Sequence, residues 1–229
     1  MDVGGIRKGE PWGKAVSEGA DEIVIGGDAD LACRIDLTKS KIIAWTPDSS
    51  SDLATTLGLT KAGAPKPAHA SRGHALPVDA LSVRIDGANP MWAVSSVAVG
   101  QTPNQTRRWH RRRAFALRVD NRQKSVSATG VIAMNAQHLE GLRVVPSGHP
   151  GDGKAEVQWF GLAPVDRAKM RKRLALAEHL GHKDVGSATF RQLTVEFARR
   201  RSVCIDGVPF SAAYRVEISV VAAAFQILI

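Results

Sequence analysis

Short apolar runs punctuated by aspartate-led turns constrain this chain more than any other feature it has. Residues 80–85, 92–99, 114–119, 125–133, 155–160, 190–197, 203–205, 214–221 and 223–229 show partial two-residue alternation, and Asp86-Gly87, Asp120-Asn121, Gly151-Asp152-Gly153 and Asp206-Gly207 stand between them. Aspartate and glycine tolerate the positive φ that tight hairpins demand. This punctuation therefore predicts antiparallel strands joined by short turns and closed into a sandwich or barrel. One interruption reads as helix: Pro164 opens a stretch that places Val165, Met170, Leu174 and Ala177 near one face and basic residues on the others, ending near Gly181.

The first sixty residues follow a different rhythm. Two apolar runs, residues 22–25 and 41–45, stop at Gly26-Gly27-Asp28-Ala29-Asp30 and at Pro47-Asp48-Ser49-Ser50-Ser51-Asp52. The order predicted is strand, helix, strand, helix, with Asp52 as the N-cap of a helix over 53–57. In open α/β sheets ligands bind beyond the carboxyl ends of strands, so glycine and aspartate at both places suggest a phosphate or metal site. Asp28 and Asp52 equally suit helix capping, and Asp206 and Asp152 equally suit turns. Residues 60–77 hold Gly63, Pro65, Pro67, Gly73 and Pro77 and read as a connection, dividing the chain into 1–65 and 66–229.

Charge divides the same way. Residues 1–60 carry 6 Lys/Arg and 10 Asp/Glu, whereas the remainder carries 25 and 12, for a total of +9. An anionic partner is thus expected to meet the later part, where Arg107, Arg108, Arg111, Arg112 and Arg113 surround Trp109 and His110, and where 169–173 and 199–201 are also basic. The arginine-tryptophan segment fits an anionic lipid or membrane surface, with nucleic acid as the weaker candidate. No stretch is long and apolar enough for a signal peptide or a membrane span, and Cys33 and Cys204 lack metal-ligand spacing. These features predict a cytoplasmic protein with buried free thiols, one that could lie peripherally on the inner membrane face. His179 and His182 are expected to compensate charge at a helix end, and the tryptophans to pack in the core and at interfaces.

The two glycine-aspartate segments, with three later ones, resemble the diacylglycerol kinase catalytic-domain family, which includes bacterial lipid kinases and sphingosine kinases. In that family a strand ends in GGDGT, and a later strand ends in a proline followed by GTGND and a helix. This chain has Gly26-Gly27-Asp28-Ala29-Asp30 and Pro47-Asp48-Ser49-Ser50-Ser51-Asp52 at those places. The likeness continues in Ala133-Met134-Asn135-Ala136-Gln137, in Val144-Val145-Pro146 followed by Gly151-Asp152-Gly153, and in Val203-Cys204-Ile205-Asp206-Gly207.

The resemblance implies a partial α/β nucleotide domain of the NAD-kinase type followed by an antiparallel β-sandwich, with ATP and lipid meeting between them. It implies transfer of a phosphoryl group from ATP to a diacylglycerol-type hydroxyl, with Mg2+ as cofactor. Gly26, Gly27, Asp28, Ser49, Ser50, Ser51 and Asp52 would form the nucleotide side, and Asp28 and Asp52 would hold magnesium through water. Asp206 and Asp28 would be the catalytic pair, with Asp206 as general base. Asp152 falls in a segment that in relatives can bind a structural magnesium. The chain departs from the pattern at Ala29, which replaces a glycine, and at Asp30, which replaces a threonine and puts a carboxylate where phosphate would lie. The nucleotide half also reads as truncated, and a homodimer or another chain could supply the rest. Two alternatives follow: a lipid kinase, or an inactive member acting as a lipid- or protein-binding module.

Overall fold

A computed structural model describes residues 12–16, 19–36, 41–60 and 73–229. The strands are β1 (Lys14–Val16), β2 (Glu22–Gly26), β3 (Ile42–Pro47), β4 (Gly73–Ile85), β5 (Met91–Ala93), β6 (Ser96–Gly100), β7 (Arg113–Val119), β8 (Arg122–Ala128), β9 (Gly130–Met134), β10 (His138–Leu139), β11 (Leu142–Arg143), β12 (Ala155–Phe160), β13 (Val185–Phe190), β14 (Gln192–Ile205) and β15 (Val208–Leu228). Three helices accompany them: α1 (Asp28–Ala32), α2 (Asp52–Leu57) and α3 (Arg167–Ala175). The architecture is the expected α/β unit joined to an antiparallel, sandwich-like β unit.

Two long strands bind the parts together. The main sheet runs β1-β4-β15-β14-β6-β9-β12-β13, and β15 pairs antiparallel with β4 over most of its length. At its far end β15 also pairs parallel with β3, through Gln226, Ile227 and Leu228 against Ile42, Ile43 and Ala44, and β3 pairs parallel with β2. The core divides accordingly. Val78 and Ala80 of β4 join Phe225 and Ile227 of β15 in a cluster with Val24, Leu31, Ile43, Trp45 and Leu53. Leu81, Val83 and Ile85, further along β4, join Val216 and Ile218 in the sandwich core with Phe115, Leu117, Val157, Phe190 and Val203.

The turns fold as their residues dictate. Asp86-Gly87 and Asp206-Gly207 have φ of 47° and 78° in both cases, the positive pair of a type I′ turn, and Glu140-Gly141 between β10 and β11 has 52° and 74°. Each turn aspartate also reaches beyond its own hairpin. One oxygen of Asp86 accepts from the Tyr214 and Arg215 N–H groups at 2.9 and 2.8 Å, and one oxygen of Asp120 accepts from Arg191 and Gln192 at 3.0 and 2.9 Å.

Several expectations are corrected. Residues 214–221 and 223–229 are not separate strands but one, β15, carrying a bulge between Val221 and Phe225 where Ala223 has a φ of 49°. Residues 73–77 belong to β4, and the expected division at residue 65 lies outside the described residues. In the helical stretch Met170 and Leu174 are buried, but Val165 lies before α3 and is 68% exposed. Cys33 is exposed and Cys204 half-buried, so neither is the fully buried thiol expected. His179 does not compensate helix charge: it is buried against Phe160, with its Nε2 2.7 Å from the Val144 carbonyl oxygen.

Candidate active site

β2 and β3 are parallel and in register, Gly26 opposite Pro47, so the two glycine-aspartate segments emerge side by side. Asp28 is buried at the start of α1, yet its carboxylate serves the other helix. It accepts from the Ser51 hydroxyl and from the N–H groups of Asp52 and Leu53, the latter two at 3.1 and 3.2 Å. Ser51, not Asp52, is the N-cap of α2, and its Oγ accepts from the Ala54 N–H at 2.9 Å. Burial raises the Asp28 pKa; the Ser51 and Leu53 donors oppose the rise and Asp52 adds to it.

Freed from capping, the Asp52 carboxylate crosses to the sandwich side. It accepts from the Glu140 and Gly141 N–H groups at 2.8 and 3.0 Å and thereby clamps α2 on the β10–β11 hairpin. Thr56 completes the clamp: its Oγ1 accepts from the Gln137 N–H at 2.9 Å and lies 3.2 Å from His138 Nδ1. Burial raises the Asp52 pKa and lowers that of His138.

Asp206 approaches from the opposite wall. One carboxylate oxygen accepts from Ser95 and Ser96 N–H, both at 2.9 Å, and the other from Val94 N–H at 2.8 Å. The two-donor pattern repeats that of Asp86 and Asp120, so Asp206 does turn duty as well. What sets it apart is its electrostatic setting. Burial pushes its pKa up to about 7 against the pull of the Ser96 N–H, and the nearby Asp28 charge reinforces the rise. The Asp28 carboxylate thus feels the charge of Asp52 and itself acts on Asp206.

Beside this junction lies an apolar cavity of about 380 Å³. Ala29, Ala32 and Cys33 of the α1 segment form one wall, Met91 and Trp92 of β5 another, and Ile205, Asp206, Val208 and Phe210 of the β14–β15 hairpin the third. Asp206 is its one acidic lining residue. Met91, Trp92, Val208 and Phe210 could not be foreseen from sequence, because β5 and the hairpin meet α1 only through the fold.

The nucleotide-side residues are committed to one another. The Gly27 N–H donates to the Asp30 carboxylate at 2.9 Å, and Ser50 donates to Asp48 through its N–H at 3.0 Å and its hydroxyl at 2.8 Å. Ser49 and Ser50 are exposed, whereas Ser51 is buried. Gly26 has a φ of 133°, and a Cβ there would meet Asp30 Oδ2 at 2.2 Å. As folded, the loop withholds the Gly27 N–H from a phosphate, because the Asp30 carboxylate holds it, and Asp48 Oδ2 stands 3.0 Å from where a Cβ on Gly27 would lie.

Asp152 lies elsewhere. Its Oδ1 accepts from the Lys154 N–H at 3.0 Å, and its charge acts on Asp79, a buried β4 residue overlooked in the sequence. Asp79 accepts from Gly153 and Ala223 N–H at 2.7 and 2.8 Å, which ties the glycine loop to the β15 bulge, and burial pushes its pKa up to about 6. Among the described residues the group of three side chains able to converge on a metal ion is Asp166, His182 and Asp184, whose ligand atoms lie within 4.8 Å of one another. None of the three lines the cavity.

Solved structures share this fold. A Bacillus anthracis protein provisionally assigned as a diacylglycerol kinase matches with a TM-score of 0.73 at 15% identity, covering 91% of this chain and 78% of its own. A second B. anthracis structure, described as a diacylglycerol kinase, matches with a TM-score of 0.70 at 16% identity, covering 91% and 76%. The fold is that of the diacylglycerol kinases. No family profile and no curated protein matches the sequence. On this fold the Asp28 charge acts on Asp206, and Asp206 lines an apolar cavity together with Ala29, Ala32 and Cys33 of the α1 segment.

Proposed function

We propose that this is a lipid-kinase-like protein whose cavity receives the hydroxyl-bearing end of a diacylglycerol-type lipid. One observation carries the reading: an apolar cavity of about 380 Å³ meets a single carboxylate, Asp206, whose pKa of about 7 suits it to accept a hydroxyl proton at neutral pH. The apolar walls would take the glycerol and first acyl carbons, and Asp206 would orient the hydroxyl. Its three backbone donors hold the carboxylate in place for that task. No nucleotide role is derived for the glycine loop, because the Gly27 N–H is taken by Asp30 and the Ser50 N–H and hydroxyl by Asp48.

A second reading, in which the chain holds the lipid without phosphorylating it, is favoured by the Asp30 carboxylate on the Gly27 N–H. Two measurements separate the readings. Cys33 is exposed and lines the cavity, so a diacylglycerol in detergent micelles should slow its alkylation in a Cys204→Ser protein, whichever reading holds. Unchanged alkylation would remove both. Labelled phosphate appearing in the lipid from Mg-ATP, and lost in Asp206→Asn, would select the kinase; shielding without transfer would select the binder.

A further inference from the structure

Three basic segments far apart in sequence converge on one side of the sandwich. The Arg167 side chain of α3 donates to the Arg107 and Arg108 carbonyl oxygens, and the Arg171 side chain donates to Thr106 at 3.0 Å, so α3 is seated on the loop before β7. β7 pairs with β14, Glu196 opposite Ala116, so that Arg199–Arg201 continue along β14 beside Arg113 at the start of β7, and Arg113 and Arg199 both act electrostatically on Arg201. Arg107, Arg108, Arg111, Arg112 and Arg113 are exposed, as are Lys169, Lys172, Arg173, Arg199 and Arg200. Among the described residues no ion pair involves any of them. So dense a set of unpaired cations repels itself and is relieved by an extended anion.

Apolar groups stand among these charges. Trp109, next to Arg108, is 76% exposed, and α3 is bracketed by Val165 at 68% and Leu176 at 67%. The headgroup-acyl boundary of a bilayer buries exposed indole and aliphatic side chains more fully than the charged backbone of a nucleic acid duplex does. The β14–β15 hairpin then links this surface to the cavity. Arg201 pairs with Ala213 and Val203 with Phe210, so the cavity-lining Phe210 lies three residues, about 10 Å, along β15 from the partner of an arginine.

We infer that the loop Arg107–Arg113, α3 and Arg199–Arg201 form one docking surface for an anionic membrane, with Trp109 as its interfacial anchor. The surface would hold the cavity mouth near the bilayer, but its binding requires neither a lipid in the cavity nor a nucleotide. The test uses the full chain and sedimenting vesicles of phosphatidylcholine alone or with about 30% phosphatidylglycerol. Binding should need the anionic lipid and fall as salt rises from about 0.05 to 0.5 M. Replacing Arg108, Arg111 or Arg173 by alanine should weaken it about fivefold per cation removed. Trp109→Ala should weaken it further in a way that salt does not abolish, because indole burial is not screened.

Equal binding to neutral and anionic vesicles, no binding to either, or unchanged binding when all three cations are removed would overturn the inference. So would an RNA or DNA oligonucleotide that binds more tightly than the anionic vesicles and displaces them. Thermal unfolding of each variant distinguishes lost docking from lost fold, since none of the four side chains makes a hydrogen bond or ion pair among the described residues.

Discussion

Replacing Asp30 by asparagine tests whether the glycine loop is closed by its own carboxylate. In the structure Asp30 Oδ2 takes the Gly27 N–H at 2.9 Å, as an acidic residue at the third helical position commonly does for the N-cap backbone. A nucleotide phosphate seeking that donor would meet the carboxylate at about 4 Å, where like unit charges repel by about 1 kcal/mol in water and about 4 kcal/mol at an effective dielectric constant of 20. The loop is exposed. The lower part of that range therefore applies, about 1–2 kcal/mol, or roughly a 5- to 30-fold change in affinity. Asparagine keeps the shape and can still accept from Gly27, so it isolates the charge. Asp30→Ala also frees the N–H, worth about 1 kcal/mol more to an incoming oxygen.

Calorimetry with Mg-ADP and Mg-ATP at low ionic strength reads these effects. Parent protein should bind weakest, Asp30→Asn more tightly and Asp30→Ala most tightly. Losing the cap should lower the melting temperature by about 2–4 °C for a chain of this size. A parent protein that already binds nucleotide tightly, or an Asp30→Asn protein that remains folded and binds no better, would refute the idea that Asp30 occupies the anion position.

Three further outcomes follow from the cleft and its clamps. Ala29→Leu adds bulk to the cavity wall and should weaken shielding of Cys33 by lipid roughly 5- to 100-fold while leaving Asp206 untouched; unchanged shielding would place the lipid elsewhere. Asp52→Ala removes two hydrogen bonds to the β10–β11 hairpin and should lower stability by about 1–3 kcal/mol in denaturant unfolding; a neutral result would show that α2 is held by its apolar face alone. Because the Asp206 pKa is raised from 3.8 to about 7 in the folded state, the native protein holds a proton that the unfolded chain releases, so the stability of the parent relative to Asp206→Asn should fall as pH rises between those values; a rise over that window would mean that the three backbone donors outweigh burial.

How much of this was legible in the sequence depends on the range of the interaction that fixes each feature. Asp206-Gly207 could be read as a hairpin because positive φ at two adjacent residues is a local demand that Asp and Gly meet cheaply. The bulge in β15 could not, since alternation fails at Val221-Ala222-Ala223-Ala224 and its continuity rests on Asp79 of β4 taking the Ala223 N–H. Asp28 and Asp52 were recognisable as residues ending strands, but each carboxylate serves a partner no local pattern identifies: Asp28 caps the helix after β3, and Asp52 holds a hairpin 88 residues away.

The same limit separates the two halves of the functional argument. Asp30 was visible as a misplaced charge, and the structure gives that charge a donor. The cavity was invisible, because its walls come from α1, β5 and a hairpin whose proximity depends on β15 running through both lobes. A basic surface built from three segments has the same origin. If β15 were two strands, as alternation alone suggests, nothing would compel Phe210, Arg201 and Ile42 to belong to one rigid ladder. The continuity of that strand is what would let the proposed docking surface and the cavity serve one lipid.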